Sequence, residues 1–171
     1  TPVPKAAATV HPGKLTMMVG DWGAGRFENL MSAGAGTANY LRIMHASLLS
    51  TNESRDILPG IASEWGFSSD GRTWSFTLRK GVKFHDGTEV TPQDALWSLE
   101  HQFGTQAFDY ALNSHSKRLG RQFERVDLTL PDKVSLTTKK PVTDLGFLVS
   151  EASGQSFGVM PKRSKVYDLE E

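Results

Sequence analysis

Cysteine is absent from the sequence, which excludes disulfide scaffolds, Cys-ligated zinc, iron–sulfur clusters and thiol nucleophiles within this chain. An excess of charge of either sign is also missing, since 19 Lys and Arg residues balance 19 Asp and Glu residues. A protein that binds nucleic acid electrostatically needs surplus basic side chains to displace counterions from phosphates, so no nucleic-acid partner is expected. No apolar run approaches the ~20 residues of a membrane-spanning helix, and the sequence therefore predicts none.

What is present is the composition of a loop-rich globular protein. Of the 171 residues, 38 % are apolar and 22 % charged, and the 16 glycines and 8 prolines are too many for a coiled coil and too few for a collagen. The chain starts with TPVPKAAAT, without an initiator Met or an apolar signal core. Residues 1–14 are interpreted as a leader or tether, either of an exported chain after processing or of a chain that has been trimmed.

The first quarter of the chain predicts a strand, a loop and a helix. The apolar run Leu15–Gly20 is typical of a buried strand, and Asp21–Gly36 holds four glycines, which is typical of a loop. A helix is predicted over Thr37–Leu49. Its apolar stripe recurs at spacings of three and four residues and consists of Leu41, Met44, His45 and Leu48.

Two β-hairpins are predicted from alternating apolar residues on either side of a turn. The first turns at Asp70-Gly71, and its alternating residues are Trp65, Phe67, Trp74, Phe76 and Leu78. The second turns at Pro131-Asp132, and its alternating residues are Val126, Leu128, Leu130, Val134 and Leu136.

Helix signals lie between and after the hairpins. Thr91 is placed to cap a helix that has Pro92 at its first position and Asp94 in its first turn. That helix is predicted to stop before Gly104 and to bury its apolar side, namely Leu96, Leu99 and Phe103. A short helix over 145–149 and a last short strand over 157–160 complete an α+β pattern.

Three consecutive stretches carry a resemblance to a known family. Leu58–Trp65, Ser68–Arg79 and Lys80–Ala95 together resemble the signature block of the family 5 extracellular solute-binding proteins. These are the oligopeptide-, dipeptide- and nickel-type receptors of ABC importers. Lys139–Pro141 and Gly158–Lys162 resemble two later landmarks of that family, whereas its usual Leu-Asp-Pro after the first strand is missing here.

The resemblance implies an α+β fold that is the N-terminal part of a two-lobed periplasmic-binding-protein-like fold of type II. It implies the extra domain of the peptide-binding class and a mixed sheet with β-hairpins and capped helices. Residues 15–49 then supply the first strand, cleft loop and helix of lobe I. Residues 50–160 form an extra α+β subdomain with two hairpins, and 161–171 begin the return into a lobe I that is truncated.

The implied function is the capture of a peptide or similar small solute outside the membrane for an ABC importer. The implied partners are that solute and the membrane permease, and the implied location is extracytoplasmic, either periplasmic or lipid-anchored. No catalytic residue, metal or cofactor is expected, and an open strand edge raises the expectation of a dimer. A ligand-sensing domain of the same family that is not tied to transport stays an alternative.

Ligand contact is expected in the loop Asp21–Gly36. Loops that follow such strands line crevices, and in the family this loop faces the cleft between the lobes. Trp22 and Phe27 offer an aromatic wall, and Arg26 offers a guanidinium that pairs with a carboxylate. A merely solvated loop is the other interpretation, and both are open.

A small hydrolase that uses His85 with Glu89 or Asp94 is the alternative of another class. The structural interpretation of the same residues is a tight turn at Asp86-Gly87 and a helix N-terminus supported by Asp94. Four aromatic residues also allow two interpretations, a stacking platform for a sugar or base and the buried face of a sheet. The buried face is favoured. The four residues are Trp65, Trp74, Phe76 and Phe84.

Overall fold

The computed structural model describes residues 45–103, 120–150 and 157–162. Eight helices and strands lie entirely within these ranges, and the described part is α+β as predicted. They are β1 (Leu49–Thr51), β2 (Ile57–Pro59), β3 (Ala62–Phe67), β4 (Thr73–Leu78), α1 (Pro92–Phe103), β5 (Phe123–Leu130), β6 (Lys133–Thr138) and α2 (Leu145–Leu148).

The hairpin predicted around Asp70-Gly71 is confirmed as the antiparallel pair β3–β4. Trp65 lies opposite Phe76, and Phe67 lies opposite Trp74. Gly71 has a φ of +68°, a conformation that glycine adopts at no steric cost. The side chain of Asp70 accepts the Arg72 amide at 3.0 Å and the Ser68 hydroxyl, so the turn is closed by its own residues.

The second predicted hairpin is confirmed as β5–β6, and it joins the first through β4 and β6. The sheet order is β3-β4-β6-β5, with Phe76 opposite Val134 and Trp74 opposite Leu136. All strand pairs in this sheet are antiparallel, while a single bridge between Leu49 and Ser150 is parallel. The chain thus uses both strand orientations.

The predicted helix start is confirmed at α1. The Asp94 carboxylate accepts the backbone N–H of Thr91 at 2.9 Å and its hydroxyl at 2.6 Å, and the Asp94 amide reaches the Thr91 hydroxyl at 3.3 Å. This reciprocal box satisfies amides at the helix N-terminus that have no partner within the helix. Pro92 fills the first helical position, where no amide is needed.

The core lies between α1 and the face of the sheet that carries the alternating residues. Trp74, Phe76 and Leu78 point into it from β4, and Val134 and Leu136 from β6. The same alternation holds less well at the outer strand β5. Leu128 and Leu130 are 42 % and 56 % exposed, because β5 lies at the edge of the sheet.

Two predicted elements need correction. In the predicted helix over 37–49, residues 45–48 form no helix and Leu49 begins β1, whereas residues 37–44 lie outside the described residues. Ser47 and Leu48 instead accept the amides of Ile61 and Ala62 through their carbonyls, which in a helix would bond to amides four residues further along the chain. Residues 157–160 are buried but form no strand, because their hydrogen bonds go chiefly to side chains.

The other predicted elements divide between confirmed and undescribed. The short helix predicted over 145–149 is present as α2. The predicted strand Leu15–Gly20 lies outside the described residues. None of the helices in the described ranges has the length and apolar character that a membrane crossing requires.

Candidate functional site

The residues that carry the family resemblance form one continuous piece of the fold. Leu58–Ala95 runs from β2 through the β3–β4 hairpin to the first turn of α1. Gly60 is fixed there by close packing, since a Cβ on it would lie 2.6 Å from the Ser47 carbonyl oxygen. The motif is therefore scaffold, with its glycines and aspartates used for turns, a cap and close backbone contact.

The ligand-contact residues predicted from the sequence, Trp22, Arg26 and Phe27, lie outside the described residues. Their expected role stays a prediction.

His85 lies on an exposed turn that is closed by other residues. Asp86 accepts the amide of Thr88 at 3.0 Å and its hydroxyl at 2.6 Å, which makes Asp86-Gly87 the tight turn that the structural interpretation predicts. The Glu89 carboxylate accepts the Gly81 amide at 2.9 Å. The carboxylates offered as acid–base partners of His85 are thus both held by backbone amides, Asp94 through the helix cap.

Metal binding by this cluster gains no support from the geometry. Within residues 45–103, 120–150 and 157–162, no three His, Asp or Glu side chains converge as a metal site would require. The other described histidines lie elsewhere in the fold. The His101 ring stacks on Trp97 with centroids 3.9 Å apart along α1, and His45 is half-buried in an irregular segment.

The aromatic residues proposed as a platform or a core belong to the core. Trp74 and Phe76 are 6 % and 0 % exposed, and Trp65 and Phe84 are half-buried and packed against the hydrophobic core. The indole N–H of Trp74 donates to the Val142 carbonyl at 2.9 Å, so its polar atom is satisfied. A stacking platform for a sugar or base is excluded for the two buried rings.

Sequence reasoning missed a polar row on α1. Asp94, Ser98 and Gln102 are 6 %, 0 % and 5 % exposed, although the apolar pattern directed attention to Leu96, Leu99 and Phe103. The signal that was available is their spacing of four residues, which places them on one side of a helix.

The electrostatics of the described part are mostly local. The Ser68 hydroxyl and then the Arg72 amide lower the pKa of the exposed Asp70 carboxyl, because both donate to its charged form. The Arg125 guanidinium has a raised pKa because it donates to Asp127 at 2.7 Å. Both effects belong to the surface of the sheet and its turn.

Comparison with known proteins decides what this scaffold belongs to. The family model described as bacterial extracellular solute-binding proteins, family 5, middle region, matches residues 56–168, about two thirds of the chain. The chain belongs to this family. The matched range includes the capped helix α1 and the four-stranded sheet, so the family assignment and the described fold concern the same residues.

Two named bacterial proteins are similar to this chain in sequence. The periplasmic murein peptide-binding protein MppA of Escherichia coli K12 is 43 % identical over 60 residues, which are 35 % of this chain and 11 % of MppA. The periplasmic oligopeptide-binding protein OppA of the same strain is 32 % identical over 114 residues, which are 66 % of this chain and 19 % of OppA. The chain thus spans between a tenth and a fifth of these relatives.

Solved structures show that the fold is that of periplasmic binding proteins. AgaA of A. tumefaciens R10, solved with agropinic acid, superposes with a TM-score of 0.67 at 24 % identity, over 79 % of this chain and 26 % of AgaA. AppA of Bacillus subtilis, solved with a nonapeptide, gives a TM-score of 0.61 at 20 % identity, over 80 % of this chain and 25 % of AppA. At these identities the likeness concerns the fold alone.

Proposed function

We propose that this chain is part of the solute-binding receptor of an ABC importer, and that the receptor captures a peptide or similar small solute. The observation that carries the proposal is the family match over residues 56–168. Relatives named for binding murein peptide, dipeptides, oligopeptides and di- or tripeptides support a peptide as the solute class. The proposal assigns no residue a catalytic role.

The described residues act in this proposal as a scaffold rather than as the binding surface. Their conspicuous motifs form turns, a helix cap and a hydrophobic core. Ligand contact is assigned to the loop Asp21–Gly36, where Arg26 pairs with the solute carboxylate and Trp22 and Phe27 pack against its apolar part. A guanidinium and a carboxylate form charge-assisted hydrogen bonds, which are stronger than neutral ones.

The proposal places the receptor outside the cytoplasmic membrane, where it delivers solute to a permease. It is supported by relatives named as periplasmic proteins. A dimer through a strand edge is a separate part of the proposal, since β3 and β5 are the outer strands of the described sheet. Native mass spectrometry reports the oligomeric state and any retained solute together.

The test is isothermal titration of the full-length protein with a panel of di-, tri- and oligopeptides and metal chelates. We expect at least one peptide to bind, and the Arg26→Gln substitution to raise its Kd at least tenfold, which corresponds to about 1.4 kcal/mol. The matched control is Arg121→Gln, because Arg121 is exposed and precedes β5.

Two results would contradict different parts of the proposal. If no peptide binds while another solute does, the peptide class is wrong and the receptor function stands. If peptides bind equally well to the wild-type protein and the Arg26 variant, the assignment of the loop residue is wrong.

A further inference from the structure

The polar row on α1 faces a buried segment that we call the strap, residues 157–162. The row consists of Asp94, Ser98 and Gln102, which follow one another at intervals of four residues and are all less than a tenth exposed. Buried polar groups require hydrogen-bond partners, and the strap supplies them through its backbone.

Each side chain of the row binds one alternate residue of the strap. The Gln102 amide donates to the Gly158 carbonyl at 2.7 Å and accepts its N–H at 3.4 Å. The Ser98 hydroxyl accepts the Met160 N–H at 2.9 Å, and the Asp94 carboxylate accepts the Lys162 N–H at 2.8 Å. The strap therefore runs antiparallel to α1.

The repeat lengths of a helix and of an extended segment are similar, which explains why a helix is able to hold an extended segment in this way. Four helical residues rise about 6.0 Å, and two extended residues span about 6.6 Å. Side chains one turn apart thus meet backbone groups two residues apart. Over the three contacts seen here the mismatch stays near one ångström, which flexible side chains absorb.

The odd-numbered strap residues direct their backbone groups to the other side, while their side chains are buried. Phe157 and Val159 are 1 % and 5 % exposed, and the Phe157 ring stacks on Phe103 with centroids 5.5 Å apart. The Val159 N–H donates to the Ala46 carbonyl at 3.0 Å, and the Ser47 hydroxyl donates to the Phe157 carbonyl. The strap is consequently bound to α1 on one side and to residues 45–48, the lead-in segment, on the other.

This arrangement specifies a single register. A slip of the strap by one residue would move Phe157 and Val159 out of the core and break the hydrogen bonds between the polar row and the strap backbone. Each buried polar group left without a partner destabilises the slipped register. Polar groups in a buried interface are known to fix register in this way in other folds.

We propose that Asp94, Ser98 and Gln102 form a latch that sets the register of the strap and holds it beside the lead-in segment as one cooperative unit. The latch is a conformational device that goes beyond the proposed function, and it is independent of which solute is bound. It fixes the points at which the chain enters and leaves this part of the fold, since the backbones of residues 46 and 159 are hydrogen-bonded to each other.

The test is amide hydrogen exchange by NMR on the whole chain, comparing the wild type with the double variant Ser98→Ala/Gln102→Leu. We expect exchange to rise at least tenfold at Val159 and Lys162, whose own partners, Ala46 and Asp94, are retained. Amides of the sheet, such as Phe76 and Leu136, should keep their wild-type exchange. The matched control is Gln93→Leu, an exposed glutamine on the same helix.

Two outcomes would overturn the proposal. If only Gly158 and Met160 exchange faster, the contacts are independent of one another and there is no latch. If Phe76 and Leu136 accelerate as much as the strap, the row merely supports the global fold. Should the double variant fail to fold, the single variant Gln102→Leu gives the same comparison.

Discussion

The β3–β4 hairpin and the strap both contain extended backbone in an antiparallel arrangement, β3 with β4 and the strap with α1. The chemical groups that hold the two regions in place are different. In the hairpin, backbone pairs with backbone over five positions, and the side chains are free to fill the core. In the strap, the side chains of a helix take the place of a neighbouring strand. The hairpin register is fixed by its turn and pattern, whereas the strap register is fixed by three specific residues far away in sequence.

The two kinds of ladder respond differently to a single substitution. A backbone ladder survives the loss of any one side chain unless that side chain fills the core. A side-chain ladder loses a contact with each residue that is replaced. The hairpin should therefore be sensitive to volume, and the strap and its lead-in segment to polar partners and close backbone contacts.

The largest effect is expected from Phe76→Ala in the hairpin. Phe76 is 0 % exposed, so its removal leaves a cavity and should lower the free energy of unfolding by about 3–5 kcal/mol. Phe67→Ala on the paired strand is the control, because Phe67 is 67 % exposed and should cost at most about 1 kcal/mol. Urea unfolding followed by tryptophan fluorescence measures both. Equal losses would show that burial does not decide stability in this hairpin.

A smaller effect is expected from Gly60→Ala beside the lead-in segment. The new Cβ would lie 2.6 Å from the Ser47 carbonyl oxygen and 2.8 Å from that of Leu48, both backbone atoms that cannot rotate away. We expect a loss of about 1–3 kcal/mol, as for other overpacked sites. Gly66→Ala on β3 meets no atom within 4 Å and should not destabilise the protein. If both variants have the same urea midpoint, the lead-in segment is free to move away from Gly60.

The smallest effect is expected from the hairpin turn and depends on pH. Because the pKa of Asp70 is lowered in the folded protein, its contribution to stability is fully present above the ordinary aspartate value of about 3.9. It is lost as the pH falls through the lower folded pKa. Asp70→Asn should lower the urea midpoint slightly near neutrality, and the difference from the wild type should shrink as the pH falls below about 4. An unchanged acid slope would contradict this assignment.

The sequence was sufficient for elements whose partners are encoded nearby. Alternation around Asp70-Gly71 and around Pro131-Asp132 predicted both hairpins, and Thr91 with Asp94 predicted the start of α1. The order in which the hairpins join could not be predicted from the sequence, since it depends on contacts between β4 and β6, two strands that are remote in sequence.

Elements whose partners are distant were read wrongly. Leu48 fits a helical stripe, but the carbonyl of this residue accepts the amide of Ala62, and tertiary pairing overrides local periodicity. The apolar run over 157–160 looks like a strand because it is extended and buried, and nothing local shows that its partners are side chains. For the candidate site, the structural interpretation of His85 and of the aromatic residues was correct. The ligand-contact roles of Trp22, Arg26 and Phe27 stay predictions.

The order of the strands also has a consequence for folding kinetics. Each hairpin is local and closes within about 1–10 μs in isolated peptides, but the sheet is complete only when β4 meets β6. The connection from Leu78 to Phe123 must close at that step, and its entropic cost grows only with the logarithm of its length. Doubling this connection would cost only about 0.6 kcal/mol. Lengthening this connection is thus expected to keep the same sheet, at the expense of slower docking of the two hairpins.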